Sequence, residues 1–288
     1  PGRPGPRGQR ERQAPGGPDV TPPLWYELTG PVGADVVVLG GSLGTTTRMW
    51  RPQLPALHQR FRVLRFDHLG HGRSPVPAGP YRIEQLGEHL VATLAAAGVR
   101  RASYCGLSLG GMLGLWLAAS RPDLVDRLVV LCASAYLPPA QPWLDRAAQV
   151  RAAGTGSIAP AVLARWFTER FRATRPATVA AYGAELGATP AEGYAGCCEA
   201  IAGLDLRGAL GSIAAPTMVI SGADDPAIGP RHGRDIAAAI PDAGHLVVAD
   251  AAHLASVEQA EVVTSLIMDH LTGPGRSTGD GGGHGRAS

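Results

Sequence analysis

The sequence predicts an α/β fold: a mostly parallel, doubly wound sheet that carries a helical lid insertion. Short, continuous apolar runs rich in β-branched residues, such as Val36–Leu39, are typical of parallel strands buried on both faces. Helix-like stretches separate most of these runs, and this alternation favours a parallel sheet between helices. About eighty residues then lie between Ser134 and Thr217, far more than one crossover helix needs.

The elements follow in chain order. Residues 1–20 are Pro, Gly and Arg with little to bury, which predicts a disordered tail, with a functional basic arm as the alternative. We assign 21–136 and 213–272 to the core, 137–212 to the lid and 273–288 to a Gly-rich tail or linker. Strands are expected at Leu24–Leu28, Val36–Leu39, Phe61–Phe66, Ala102–Cys105, Arg127–Cys132, Thr217–Ser221 and His245–Val248, and helices from Ile83 to a stop at Gly98 and over Met112–Ala119.

The run from Ala102 to Ser120 contains no charged residue and is long enough to span a bilayer. Four glycines make it a poor single helix, and a buried strand, turn and helix explain the same lack of charge. We therefore favour the soluble interpretation over a membrane span.

Composition excludes several classes of function. The formal charge of +2 comes mostly from the two terminal segments. The folded body therefore lacks the excess of positive charge that nucleic-acid binding needs. All 26 basic residues are arginine, which excludes a P-loop lysine and a pyridoxal-phosphate anchor, and we expect no cofactor. The four cysteines lack metal-ligand spacing and there is no apolar signal segment, so we expect no metal, reduced thiols and a cytoplasmic protein.

The stretch Gly106–Gly111 has the pattern G-x-S-x-G between a predicted strand and a predicted helix. This is the pattern of a nucleophile elbow, in which side chains two places from Ser108 would collide with neighbouring backbone. A chance match is the alternative, because 39 of the 288 residues are glycine, but the flanking strand and helix argue against it. We therefore predict that Ser108 is a catalytic nucleophile.

A serine nucleophile needs a base and a carboxylate that orients the base. In this architecture the chain order is Ser, Asp or Glu, then His, on the loops after the last strands. Asp225 and His253 occupy those loops, and Asp224 is the less favoured alternative acid. Glu258 is interpreted as a helix N-terminal charge or a structural partner.

The other histidines are not expected to take part in catalysis. We expect His68 and His71 to satisfy loop backbone, and His58, His89, His232, His270 and His284 to be surface or tail groups.

An oxyanion hole is expected from two backbone N–H groups. Leu109 follows the nucleophile, and Leu43 lies in the glycine turn after an earlier central strand. Ser42 is the alternative for the second donor.

Taken together, the chain resembles the α/β-hydrolase superfamily over residues 24–271, and within it the 3-oxoadipate enol-lactonases of protocatechuate catabolism. The elbow and triad are shared across the superfamily, whereas the lid segment Gly193–Cys198 is more particular to the enol-lactonases. The resemblance rests on Ser42–Thr45 with Met49–Trp50, Gly79–Tyr81, Gly106–Met112, Arg165–Thr168, Gly193–Cys198, Gly222–Pro226 and Ala252–Leu254.

The resemblance implies a serine hydrolase that opens 3-oxoadipate enol-lactone through an acyl-enzyme. The substrate carries a carboxylate, so Trp143, Arg146 and Trp166 of the lid are candidate contacts, with ordinary lid packing as their alternative. The family also occurs fused to a carboxymuconolactone decarboxylase domain, which is thus an implied partner. Gly41, Leu69 and Ala260 depart from the family pattern, where asparagine, arginine and proline are expected.

Two other functions fit the same residues. The first is another small-ester or lactone hydrolase, or a cofactor-free perhydrolase, on the same triad. The second is a non-catalytic ligand-binding protein of this fold, although a binding protein has no need of an intact Ser108, Asp225 and His253.

Overall fold

A computed structural model describes residues 21–273 of the chain; the predictions for residues 1–20 and 274–288 lie outside that range. Within it, seven strands form one sheet: β1 (Tyr26–Thr29), β2 (Val36–Gly40), β3 (Arg62–Phe66), β4 (Ala102–Leu107), β5 (Val125–Leu131), β6 (Thr217–Gly222) and β7 (Ala243–Val248). Their spatial order is β1-β3-β2-β4-β5-β6-β7. β1 runs antiparallel to β3 and the other neighbours are parallel, which confirms the predicted fold class.

Helices flank this sheet and fill the connections between its strands. In chain order they are α1 (Leu54–Leu57), α2 (Ile83–Ala96), α3 (Leu109–Ser120), α4 (Gln141–Ala153), α5 (Ala159–Trp166), α6 (Glu169–Thr174), α7 (Pro176–Gly187), α8 (Ala191–Ala202), α9 (Pro230–Ala239), α10 (Ala255–Glu258) and α11 (Ala260–Thr272).

The uncharged run from Ala102 to Ser120 is β4 followed by α3. Every residue of β4 is buried, and α3 contacts β2, β4, β5 and α2, so it is enclosed on all sides. This enclosure explains why α3 is apolar around its whole circumference. Among residues 21–273, no helix is long and apolar enough to cross a membrane.

The five helices α4–α8 form a helical insertion between β5 and β6. α4 packs along α8, and Arg151 of α4 forms ion pairs with Glu192 (2.8 Å) and Glu199 (2.5 Å) of α8. The insertion is seated on the loop after β3, where a Cβ at Gly70 would lie 2.2 Å from the Cα of Gly193. Only glycines allow the two backbones to approach this closely.

The predicted bounds of the first strand are wrong. Leu24 and Trp25 precede β1, and their backbone N–H groups donate to the hydroxyl oxygens of Thr93 (2.8 Å) and Ser74 (3.0 Å). These two N–H groups thus bind side chains that are distant in sequence, where a strand would have bonded them to a neighbouring strand. The four cysteines are buried and free, as expected.

Candidate active site

Ser108 occupies the sharp turn between β4 and α3, with backbone angles φ 57° and ψ −117°. A positive φ is strained for a residue that carries a side chain. The N–H of Ser108 donates to the carbonyl oxygen of Leu131, and its own carbonyl accepts from Met112, both at 2.9 Å. The turn is therefore held on both sides, with Ser108 at the N-terminus of a helix whose dipole favours developing negative charge.

The glycines around Ser108 are required by close backbone contacts. A Cβ at Gly106 would lie 2.2 Å from the carbonyl oxygen of Gly110, and a Cβ at Gly110 would lie 2.2 Å from that of Gly40. These are the collisions that the G-x-S-x-G pattern predicts. The spacing of the motif is thus a steric requirement of the turn in this chain.

Asp225 and His253 lie on the loops after β6 and β7 and form a hydrogen-bonded pair. Oδ2 of Asp225 is 2.8 Å from Nδ1 of His253, and both side chains are buried. Oδ1 accepts from the N–H groups of Ala227 (2.8 Å) and Ile228 (3.0 Å). Burial by itself raises the pKa of Asp225, but His253 and these N–H groups together lower it below its ordinary value. The ionised carboxylate accepts a hydrogen bond from the Nδ1–H of His253, which leaves Nε2 of the neutral imidazole as a proton acceptor.

The alternative acid, Asp224, is exposed and does not reach His253. Its backbone N–H donates to the carbonyl oxygen of Ala251 at 2.9 Å, which fixes the loop without bringing its carboxylate to the imidazole.

Ser108 and His253 line one cavity of about 40 Å³. Within residues 21–273 no hydrogen bond joins the Ser108 hydroxyl to the His253 ring, and such contacts commonly tighten only when substrate binds. Six of the twelve residues that line the cavity belong to the helical insertion: Trp143, Arg146, Val162, Arg165, Trp166 and Tyr194.

Two backbone N–H groups near Ser108 have no hydrogen-bond partner within the described part of the chain, those of Leu43 and Leu109. Leu43 lines the cavity, and Leu109 is the first residue of α3. The Gly110 N–H donates to the carbonyl oxygen of Gly41 at 2.9 Å and ties the two segments together. Free backbone donors beside a serine hydroxyl are the groups from which an oxyanion hole is built.

Ser42 is less suited than Leu43 to be the second donor. Its N–H already points at the sulfur atom of Met49, at 3.2 Å.

Trp143, Arg146 and Trp166, the predicted substrate contacts, all line the cavity. The guanidinium carbon of Arg146 lies 4.7 Å from the centre of the Trp143 ring. Arg165 lines the cavity too, and sequence reasoning did not single it out as a contact. The pKa of Arg165 is lowered, mainly by burial and to a smaller extent by the positive charge of Arg146. Within residues 21–273 neither arginine forms an ion pair with a carboxylate.

The other histidines stand apart from the Asp225 pair. His68 and His71 are buried and bind loop backbone, as predicted. His89 contradicts its prediction, because it is buried and shares a 2.7 Å hydrogen bond with the carbonyl oxygen of Pro22. His58, His232 and His270 are half-buried and each has a hydrogen-bond partner, and His284 lies outside the described residues.

A larger open depression of about 1110 Å³ lies between α6 and α11. Its lining includes Asp224 but neither Ser108 nor His253, so it is separate from the cavity that those two residues line. In the part of the chain that the structure describes, no cluster of His, Cys, Asp or Glu is arranged to hold a metal ion.

The family described as alpha/beta hydrolase fold matches residues 35–260. The chain belongs to the α/β-hydrolase family.

Individual members of the family with similar sequences are hydrolases. 3-Oxoadipate enol-lactonase 2 of Acinetobacter baylyi is 37% identical over 238 residues, which cover 83% of this chain and 89% of that protein. A putative carbamate hydrolase, RutD of Stutzerimonas stutzeri, is 31% identical over 86% of this chain and 96% of that protein. Among solved structures, the enol-lactonase of Burkholderia xenovorans has a TM-score of 0.85 and 40% identity, covering 86% of this chain and 96% of that one. This α/β-hydrolase is therefore an enzyme of the hydrolase class.

Three residues of this α/β-hydrolase, Gly41, Leu69 and Ala260, depart from the enol-lactonase pattern, and the structure shows where each of them lies. A Cβ at Gly41 would lie 2.9 Å from the Thr45 hydroxyl and 3.1 Å from the Met49 sulfur, so an asparagine there needs these side chains to shift. Leu69 is buried. Ala260 is the first residue of α11.

The loop that carries His253 in this α/β-hydrolase is held by Glu258. One carboxylate oxygen of Glu258 accepts from the N–H of Ala252 at 2.9 Å, and the other accepts from the hydroxyl of Thr168 and from its N–H at 3.2 Å. Thr168 lies between α5 and α6 of the insertion, so Glu258 joins the insertion to the His253 loop. Glu258 is therefore a structural partner, as one of its two predicted roles has it.

Proposed function

We propose that this α/β-hydrolase is a serine hydrolase that opens 3-oxoadipate enol-lactone to 3-oxoadipate. The observation that carries the reaction type is the cavity shared by Ser108 and His253, with His253 bonded to Asp225 at 2.8 Å. The similarity to enol-lactonases over most of both chains supports the lactone as substrate.

The first half of the reaction forms an acyl-enzyme. Nε2 of His253 takes the hydroxyl proton of Ser108 as its oxygen attacks the lactone carbonyl carbon. The oxyanion of the tetrahedral intermediate accepts from the N–H groups of Leu43 and Leu109. When the ring C–O bond breaks, His253 returns the proton to the leaving enol oxygen, which tautomerises to the ketone. Because the leaving group stays tethered and could close again at high effective molarity, this tautomerisation helps to make opening one-way.

The second half releases the acid. Water loses a proton to Nε2 of His253 and attacks the acyl carbonyl carbon, and the same two N–H groups stabilise the second oxyanion. The Ser108 oxygen leaves and regains its proton from His253. Asp225 stays ionised throughout and stabilises the imidazolium at each step.

The substrate carboxylate is placed against Arg146 and Arg165. Both arginines line the cavity and have no carboxylate partner among residues 21–273, and the pKa of Arg165 is lowered first by burial and then by the positive charge of Arg146. An anion bound beside them would relieve that repulsion with charge-assisted hydrogen bonds. Trp143 and Trp166 supply the apolar walls. The helical insertion thus acts as a lid that selects an anionic lactone.

The test measures the ultraviolet loss of freshly generated 3-oxoadipate enol-lactone, with p-nitrophenyl acetate as the comparison ester and Ser108→Ala as the control variant. We expect fast, serine-dependent loss of the lactone and feeble turnover of the acetate. Brisk acetate hydrolysis with untouched lactone would leave a serine esterase of other specificity. Unchanged behaviour of Ser108→Ala would favour a binding protein.

A further inference from the structure

The segment Ser42–Thr45, which contains the proposed Leu43 donor, is a tight turn. The N–H and the hydroxyl of Thr45 both donate to the carbonyl oxygen of Ser42, at 3.1 and 2.8 Å. Gly44 has φ +82°, whereas Leu43 is not among the residues with positive φ. A positive φ at the third position alone is the signature of a type II turn.

His71 binds the central peptide of this turn. The N–H of Gly44 donates to Nε2 of His71 at 2.9 Å, and Nδ1 of His71 donates to the carbonyl oxygen of Leu69 at 3.1 Å. The His71 side chain is fully buried, with 0% of the residue exposed. Because Nε2 accepts a hydrogen bond, the ring is neutral and carries its proton on Nδ1.

This hydrogen bond decides which way the central peptide faces. Type I and type II turns differ by a flip of that peptide. In the observed state the Gly44 N–H meets the lone pair of Nε2. After a flip, the carbonyl oxygen of Leu43 would face the same lone pair and be repelled. The tautomer of His71 therefore selects the observed turn.

A second histidine holds the residue before the turn. Nε2 of His68 lies 2.7 Å from the carbonyl oxygen of Gly41, which also accepts from the N–H of Gly110 at 2.9 Å. Gly110 is the neighbour of Leu109 in the first turn of α3. The two segments that carry the proposed oxyanion donors are thus tied together at Gly41, and His71 holds the turn that follows at Gly44.

We propose that His71 is a positioning residue for catalysis: its unprotonated Nε2 holds the Ser42–Thr45 turn so that the Leu43 N–H faces the oxyanion. The inference rests on the proposed serine-hydrolase function but not on the lactone as substrate. His71 acts only through the turn and touches no reacting atom.

The test compares His71→Asn with His71→Gln. The glutamine amide oxygen reaches the position of Nε2 and can accept from Gly44, whereas the asparagine amide ends at the position of Nδ1. We expect His71→Asn to lower kcat about 10- to 100-fold with KM within about twofold of wild type, because a displaced donor costs less than a deleted one. His71→Gln recovers most of kcat. A wild-type kcat in His71→Asn, or a glutamine variant as slow as the asparagine variant, overturns the proposal.

The matched control is His58→Asn. His58 is half-buried and bonds to the hydroxyl of Thr29 at the edge of the sheet, and we expect its replacement to leave kcat unchanged.

Assays on two substrates separate this inference from the proposed function. If wild type hydrolyses only p-nitrophenyl acetate through Ser108, the lactone assignment fails, and the His71 comparison is read on the acetate. Inactivity on both substrates overturns both proposals.

One measurement does not depend on how well the variants fold. A long-range proton–nitrogen spectrum of the wild-type protein assigns the tautomer of His71, and the scalar coupling between its Nε2 and the Gly44 nitrogen reports the hydrogen bond. We expect a proton on Nδ1 and a resolved coupling, and a proton on Nε2 would overturn the proposal.

Discussion

The backbone N–H of Leu254 donates a 2.9 Å hydrogen bond to the carbonyl oxygen of Trp166. The neighbouring N–H of His253 donates to the carbonyl oxygen of Arg165 at 3.4 Å. The loop that carries the proposed base is therefore attached to the end of α5, whose side chains line the cavity. Two backbone hydrogen bonds thus link the position of α5 to that of the His253 loop.

The first prediction concerns Glu258, which completes this attachment by accepting from both Ala252 and Thr168. In Glu258→Gln one oxygen is replaced by an NH2 group, which cannot accept from the N–H of Thr168, and the hydrogen bonds that remain are no longer charge-assisted. We expect kcat to fall about tenfold and the free energy of unfolding to fall by about 1–2 kcal/mol. Steady-state assays and urea titrations measure the two effects.

Glu261→Gln is the matched control for Glu258, because Glu261 lies nearby on α11 and is exposed. It should behave as wild type. A Glu258→Gln enzyme with wild-type kcat would contradict the coupling of the insertion to the base.

The second prediction concerns Asp225. In Asp225→Asn the amide no longer fixes the Nδ1 proton of His253 or stabilises the imidazolium, so kcat should fall about 10³- to 10⁴-fold with little change in KM. Asp224→Asn is the control, since Asp224 is exposed and unconnected to His253. Equal losses in the two variants would refute the assignment of the acid.

The parts of this molecule that were predictable from the sequence are those set by local constraints. β2 and residues 128–131 of β5 are continuous apolar runs because both faces of the sheet are covered there. The serine turn can be recognised in the sequence because it requires glycine at two positions: a Cβ at Gly106 or Gly110 would lie only 2.2 Å from a backbone atom. Such requirements act between residues close in sequence, so they leave a pattern.

The remaining features depend on contacts between distant segments. Arg165 reaches the cavity because of the direction in which the insertion folds back, which no local pattern encodes. His89 is buried by its bond to Pro22, 67 residues away, and Glu258 meets Thr168 across 90 residues. Arg165 and Glu258 carry no local pattern that distinguishes them from solvated surface groups.

The third prediction concerns recognition of the substrate carboxylate. Arg146→Met and Arg165→Met each remove one charge-assisted hydrogen-bond donor group, worth about 1.5–3 kcal/mol, so KM for the enol-lactone should rise about 10- to 100-fold. Hydrolysis of uncharged p-nitrophenyl acetate should change little. Arg172→Met, on the exposed side of α6, is the control. Equal losses on both substrates would indicate general damage to the insertion.

The fourth prediction concerns stability in acid. Burial lowers the pKa of His68 to about 4 and that of His71 to about 3, from an unfolded value of 6.5. Below pH 6.5 the unfolded chain therefore binds two protons that the folded chain does not. The free energy of unfolding should fall as the pH drops from 6.5 towards 4, by about 1.4 kcal/mol per pH unit for each histidine.

Urea titrations followed by tryptophan fluorescence between pH 7 and pH 5 measure this slope. In His71→Gln, unfolding takes up one proton fewer than in wild type. The free energy of unfolding should therefore change with pH less steeply than in wild type, by about 1.4 kcal/mol per pH unit. Contributions from carboxyl groups and from the other histidines are common to both proteins and cancel in the difference. Identical slopes would mean that His71 is already charged in the folded protein, which the hydrogen bond from Gly44 to its Nε2 does not allow.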